Sequence, residues 1–233
     1  MKISNLHFNN QDFKVNIRSQ ADKSVMKEIF ELREYKDVES IIKSAKAAGF
    51  GRAEPIIDAG AQAGFFSLYC LALNPKVRVY AIEPDENNLE VLEDNLNLNN
   101  VPNIEIIAGA LAGKSGLRDF YVSYDTHNHS LFKVLTPQIT KVTKVKAYSL
   151  DDFLNEQEIT QVSLLKLDVE GSEYEVLQNF RGWEKINNII LEYHDFGEFK
   201  HTQLENLLRE KGYKIKTTLS KFEQSLGFIV ARK

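Results

Sequence analysis

Downstream of Pro55 the chain alternates short apolar runs with stretches whose apolar residues recur at three- and four-residue intervals. That pattern predicts strands joined by helical crossovers in a parallel sheet. Ile56 and Ile57 form the first run, ending at Asp58 and a glycine-containing turn. Phe65, Phe66, Leu68, Tyr69, Leu71 and Leu73 make the following helix apolar over much of its surface, so it should lie buried between the sheet and another layer. Residues 77–82 form a second run ending at Glu83 and Pro84. Leu89, Leu92 and Leu96 mark the helix starting from Asp85, and 104–107 are the third strand.

Between 109 and 152 the rhythm changes. Gly113, Gly116, Asp125 and Asn128 interrupt it, while 117–122 and 141–148 alternate apolar with polar. This predicts an antiparallel insertion, about 111–150, carrying a loop. Excursions of this length are frequently functional.

The βα alternation resumes at 162–167 and closes on Asp168. Ser172 and Glu175 have capping-box spacing ahead of Val176, Leu177 and Phe180. Residues 186–191 form the next strand, closed by Glu192. Thr202 and Glu205 repeat the capping-box spacing before the stripe Leu204, Leu207 and Leu208. Gly212 sits where a helix end favours a left-handed residue. Residues 213–219 and 226–231 are joined too closely for a crossover, so they should pair antiparallel. The fold class is thus α/β, a Rossmann-like sheet of seven strands, five of them parallel, with a terminal antiparallel hairpin. A dinucleotide-binding dehydrogenase would instead continue with further parallel units.

Ahead of this domain (55–233), residues 1–54 read as an N-terminal helical extension. Val25, Ile29 and Leu32 form one stripe, and Val38, Ile41, Ile42 and Ala45 another. Packing is their simplest role, and their place before the first strand also suits a cap over the ligand-binding edge of the sheet.

Composition narrows the reading. With 233 residues and 43% hydrophobic content the chain fills one sizeable core and not two. Its net charge of −4 builds no broad basic surface, which disfavours a nucleic-acid partner. A single cysteine, Cys70, rules out an internal disulfide and a multi-thiolate metal site; its apolar surroundings point to a buried thiol. The apolar run 63–73 is shorter than the ~20 residues needed to cross a bilayer. Residues 1–10 lack a signal-peptide core. A soluble, cytoplasmic protein without a membrane partner is expected.

The segment Asp58-Ala59-Gly60-Ala61-Gln62-Ala63-Gly64 lies between strand and helix. Gly60 permits a tight turn, the small residues let backbone N–H groups approach a ligand, and Gly64 allows the helix to pack on the strand. Phe65 opens the helix. The glycine spacing differs from the dinucleotide fingerprint, and Asp58 would repel a pyrophosphate. It would accept an ammonium group, such as that of a methionine tail. Glu83, at the end of the next strand, can take hydrogen bonds from both hydroxyls of a ribose. Pro84 suits the exit from that strand, having no N–H to lose. Gly109 and Ala110, at the end of the third strand, are small where an adenine edge would lie.

Lys166, Asp168 and Glu170 alternate onto one side of the fourth strand, among Leu164, Leu165 and Leu167. Charges there need partners. One account is a Lys166–Asp168 ion pair; the other turns Asp168 into the crevice, toward cofactor or acceptor. Glu192 and His194 end the neighbouring strand at the same crevice, and His194 could take a proton from an acceptor hydroxyl. Asp168, Glu170, Glu192 and His194 also have the donors for Mg²⁺ or Mn²⁺, although nothing in their spacing makes them converge, and a metal is not favoured. In the insertion, His127, Asn128, His129 and Ser130 precede Leu131 and Phe132, and this stretch is expected to border the acceptor.

Together these segments resemble the FkbM family of S-adenosylmethionine-dependent methyltransferases. The likeness rests on 57–64, on Ala81-Ile82-Glu83-Pro84, and on Leu92, Asn95 and Asn99. It continues through Ser149-Leu150-Asp151-Asp152-Phe153 and Leu165-Lys166-Leu167-Asp168-Val169-Glu170-Gly171-Ser172-Glu173 to Leu191-Glu192, with Phe30 and Tyr35 upstream. The resemblance implies a Rossmann-like fold ending in a hairpin and S-adenosylmethionine as cofactor. It also implies O-methylation of a hydroxyl on a small molecule or saccharide. By position, Asp58, Gly60, Ala61 and Gly64 would surround the methionine part, and Glu83 the ribose. Gln62 departs from the asparagine common in that family, and its longer side chain would either crowd the cofactor or bond to it. Two other readings stay open: a binding protein that kept the scaffold without catalysis, and, further off, an NAD-dependent oxidoreductase.

Overall fold

The chain begins with a β-hairpin, β1 (Lys2–Phe8) and β2 (Gln11–Ile17), where only helices are expected. The computed structural model describes residues 2–46, 54–124, 128–220 and 225–233. Asn9 and Asn10, with φ of 51° and 59°, form the two-residue turn, a conformation asparagine tolerates. Phe13 and Val15 point from β2 into the core, and the backbone N–H of Asn16 bonds to Asn95. The extension is therefore a hairpin followed by two helices, α1 (Gln20–Phe30) and α2 (Glu39–Ser44). Ser19 and Asp22 cap α1 reciprocally. Ile29 is buried as expected. Leu32 lies beyond the end of α1 and is exposed, so the first stripe is shorter than its periodicity implies.

The domain then runs through β3 (Ile56–Ala59), α3 (Phe65–Leu73), β4 (Val79–Glu83), α4 (Glu86–Asn99) and β5 (Ile104–Ala108). The insertion comprises β6 (Ala110–Leu111), β7 (Gly116–Ser123) and β8 (Ile139–Tyr148). The remainder is α5 (Leu150–Glu156), β9 (Leu164–Leu167), α6 (Glu173–Asn179), β10 (Asn188–His194), α7 (His201–Glu210), β11 (Lys214–Leu219) and β12 (Leu226–Arg232).

Seven strands form the main sheet in the order β11-β12-β10-β9-β3-β4-β5. The five expected parallel strands are parallel, and β12 runs antiparallel to both β10 and β11. Strand order reverses between β3 and β9, where doubly wound sheets open a ligand crevice at their C-terminal edge. Every residue of α3 is buried. One side of α3 meets the sheet and the other meets α1, α2 and the hairpin, which accounts for its all-round apolarity. The insertion forms its own three-stranded sheet, β6-β8-β7, with β7 and β8 antiparallel.

Neither expected capping box forms. Ser172 makes no side-chain cap bond, because its own backbone is helical, φ −74° and ψ −9°, rather than in the extended geometry that aims a cap side chain at the first helical N–H groups. The fully buried Glu173 carboxylate separately takes the N–H groups of Val169 and Gly171. At α7, Asp195 accepts from the His201 N–H, while Glu205 is drawn to Arg209 and Thr217. No helix among the described residues is long and apolar enough to cross a membrane.

Candidate functional site

The turn after β3 is wound tightly, with Gly60 at φ 79°, Gln62 at 48° and Gly64 at 82°. A Cβ at Gly60 would overlap the Asp168 carbonyl, so only glycine fits between β3 and β9. Gly64 lies against the Leu92 side chain of α4 rather than against the strand. The turn's N–H groups are less available than expected. Those of Gly60 and Ala61 bond to the Ile82 carbonyl, that of Gln62 to Glu83, and that of Gly64 to Ala61.

Asp58 is fully buried and does not line the cleft. Its carboxylate accepts from the Ser67 hydroxyl at 2.7 Å and pairs with the Lys166 ammonium at 3.2 Å. Lys166 also donates to the Gly60 carbonyl at 2.9 Å and lies 3.4 Å from Asp168. Burial opposes its charge, but Asp58 and Asp168 outweigh burial and hold its pKa above the ordinary lysine value. Both accounts of Asp168 therefore hold: it pairs with Lys166, and it lines the crevice. The ammonium expected at Asp58 is present, and it belongs to the protein.

The cleft at the edge of the sheet encloses about 480 Å³ of empty space, counting its open mouth. Gly60, Gln62, Glu83, Pro84, Gly109, Ala110 and Asp168 all face it; Ala61, Gly64 and Phe65 lie behind it. Glu83 is buried, accepting from the N–H groups of Gln62 and Asp85, each at 2.9 Å, and from the Asn88 amide at 3.2 Å. Burial pushes its carboxyl up to about 7 despite these donors. Ser172 also lines the cleft, with its hydroxyl buried and without a partner among the described residues.

Glu192 and His194, expected at this crevice, are not part of its lining. Next to Glu170, which is, His194 lies between two carboxylates, with Nε2 3.2 Å from Glu170 and Nδ1 3.5 Å from Glu173. Burial disfavours its charge; Glu170 and Glu173 outweigh burial and raise its pKa well above the usual value. The raised pKa favours the protonated ring, in which both nitrogens are donors, over a free base. Glu192 makes no side-chain hydrogen bond or ion pair among the described residues, and burial, reinforced by Asp168, raises its pKa well above normal. Tyr35, between α1 and α2, is buried against Phe66 and Phe228 and feels the same carboxylates, so its phenol is raised by burial and then by Asp168 and Glu192.

Ligand atoms of Asp168, Glu170 and His194 lie within 4.8 Å of one another, without Glu192. The ring is already paired with Glu170 and Glu173, so a cation here would have to displace its proton and compete with those ion pairs.

The insertion roofs the cleft with Leu111, Phe120, His129 and Leu131. The Ser130 hydroxyl donates to the Glu170 carbonyl at 2.6 Å, latching the insertion onto the β9–α6 turn. His129 Nδ1 accepts from the Ser123 N–H at 3.0 Å, which directs Nε2 toward Asp85, 4.0 Å away. His127 and Asp125 lie outside the described residues.

Ser67, Asn88, Glu173 and the free hydroxyl of Ser172 were not among the expected site residues. Only the small polar types at helix starts hinted at them, since their partners are distant in sequence.

The profile of the Methyltransferase FkbM domain matches residues 58–215, more than half of the chain and all of the cleft described above. The chain belongs to the FkbM methyltransferase family. Methyltransferase 1 of Beauveria bassiana is 29% identical over 183 residues, 69% of this chain and 72% of that protein. The hexuronic acid methyltransferase AglP of Haloferax volcanii is 26% identical over 182 residues, 76% of this chain and 69% of that one. Among solved structures, Aeropyrum pernix fibrillarin with natively bound S-adenosyl-L-methionine superposes with a TM-score of 0.51 at 14% identity, over 98% of this chain and 82% of that chain, a likeness of fold. S-adenosylmethionine is the cofactor of the FkbM family, and the cleft fits it on its own terms. A glycine cradle backs on Asp168, a buried carboxylate stands at a strand end, and an unpartnered hydroxyl lies in the wall.

Proposed function

We propose that this methyltransferase methylates a hydroxyl oxygen of a small molecule or saccharide. The observation that carries this reading is the Asp168 carboxylate on the cleft wall, with the Glu192 carboxyl near enough to feel its charge and raised in pKa by burial and then by Asp168. A carboxylate made more basic by burial is suited to take a proton from a hydroxyl. The hexuronic acid named for one relative supports a saccharide among the acceptors.

The cofactor supplies an electrophilic methyl group on a sulfonium. Glu83 holds the ribose hydroxyls, Gly109 and Ala110 border the adenine, and Gly60 and Gln62 border the methionine part. Asp168, held by Lys166, positions the reacting end, and Glu192 receives the acceptor proton. His194, as an imidazolium between Glu170 and Glu173, holds the loop after β9 rather than acting as base. Most of the rate then comes from holding acceptor oxygen and methyl in near-attack geometry. The insertion keeps water away.

The test is a panel of polyols, sugars, sugar acids and amines incubated with labelled cofactor, with the methylated atom located by mass spectrometry and NMR. Methyl found only on nitrogen or carbon overturns the reading. Cofactor binding with no turnover on any acceptor favours a non-catalytic role.

A further inference from the structure

Ser172 has the spacing of a helix cap and does not cap. The carboxylate of Glu173 bonds the N–H groups of Val169 and Gly171, and Ser172 itself has helical backbone angles, φ −74° and ψ −9°. Its hydroxyl is left fully buried, without a hydrogen-bond partner among the described residues, and the residue is part of the cofactor cleft's wall. A buried hydroxyl with no partner is destabilising, so folding alone gives no reason for it.

Its place in the cleft indicates what it meets. Gly113, just beyond β6, packs against the Glu175 backbone of α6, so the chain leaving Gly109 and Ala110 runs alongside this helix. Ser172 thus lies beside the part of the cleft bordered by Gly109 and Ala110 and roofed by Leu111 and Leu131. That compartment lies past Glu83 and Pro84, on the base side of the ribose position. Ile82, Phe120 and Leu131 supply apolar surface that fits the faces of a purine, and His129, directed toward Asp85, leaves the purine edge few other side-chain partners.

We propose that the Ser172 hydroxyl hydrogen-bonds the edge of the cofactor's adenine ring, and that it is held free of the helix cap for that purpose. The proposal rests on the assignment of this cleft to S-adenosylmethionine.

Calorimetric titration of wild type and Ser172→Ala with S-adenosylhomocysteine and with 5′-methylthioadenosine, which lacks the amino-acid tail, tests it. Loss of the bond should weaken both ligands alike, roughly three- to tenfold. The ligand-free variant should melt no lower than wild type, because an unsatisfied hydroxyl has been removed from the interior. Weaker S-adenosylhomocysteine binding with unchanged methylthioadenosine binding would place the hydroxyl at the methionine end and overturn the proposal. Unchanged affinity for both, with or without a lower melting temperature, also overturns it and leaves Ser172 a structural residue. If wild type binds neither ligand, the cofactor assignment fails, which is a separate result.

Discussion

The Lys166 ammonium stands 3.2 Å from the Asp58 carboxylate, joining the first and fourth strands of the parallel sheet where both are buried. Ser67 closes the other side of Asp58. Lys166→Met leaves that carboxylate buried without its counter-charge, and breaking such a pair costs about 3–5 kcal/mol. Urea denaturation should register that loss, and adding Asp58→Asn should recover much of it. A single mutant as stable as wild type would mean that the pair contributes nothing.

Glu83 predicts an uncommon pH dependence. Burial raises its carboxyl to about 7 in the folded protein, whereas a carboxyl of an unfolded chain titrates near about 4.3. The folded state binds this proton more tightly, so ligand-free stability should fall as pH rises from about 4.3 to about 7 and level off above. Cofactor affinity should move the other way, because ribose hydroxyls donate to the ionised form. Glu83→Gln should flatten both curves and weaken S-adenosylhomocysteine by about 1.5–3 kcal/mol. Unchanged affinity in the folded variant would remove Glu83 from the ribose site.

His194 acts in a higher window. Burial opposes its protonation, and Glu170 and Glu173 more than offset that, so the folded pKa exceeds the unfolded value of about 6.5. The stabilisation is complete below about 6.5 and is lost as pH rises through the folded pKa. His194→Gln should therefore melt lower than wild type at pH 6, with the gap narrowing at alkaline pH. If turnover of the variant instead collapsed at every pH while its melting profile matched wild type, the ring would be acting on substrate.

Asp168→Asn separates positioning from stability. Lys166 keeps Asp58 and the Gly60 carbonyl as partners, so the fold should survive. Single-turnover transfer should fall at least tenfold, about 1.4 kcal/mol of barrier. A variant that melts lower yet transfers methyl at full rate would sink the role given to Asp168.

Much of this was legible in the sequence. The alternation of apolar runs placed the seven strands, and Glu83, Gly60 and Asp168 stand where strand ends put them. The hairpin at residues 2–17 escaped, although Phe13, Val15 and Ile17 alternate and Asn9-Asn10 is a turn signal, because most of β1 faces solvent and buries little. Asp58 was read as facing a ligand because nothing local reveals that Lys166, on another strand, reaches back to it. The capping spacing at Ser172 was real, but the residue adopts helical backbone angles, which no local spacing reveals and which point its hydroxyl away from the cap N–H groups. Side-chain partners across the sheet depend on register and depth, which periodicity alone does not carry.

The insertion leaves and rejoins the domain at one place: Ala110 pairs with Ala147, and Leu111 with Tyr148. Its two ends are therefore held side by side whatever lies between them. Because closing a longer loop adds only about 0.6 kcal/mol per doubling, the stretch from 124 to 138 can lengthen, shorten or be exchanged with little consequence for the sheet beneath. Grafting at this joint would change the roof of the cleft, where His129, Ser130 and Leu131 lie, while leaving the sheet beneath in place. Transplanting this segment between relatives is a direct route to new acceptors.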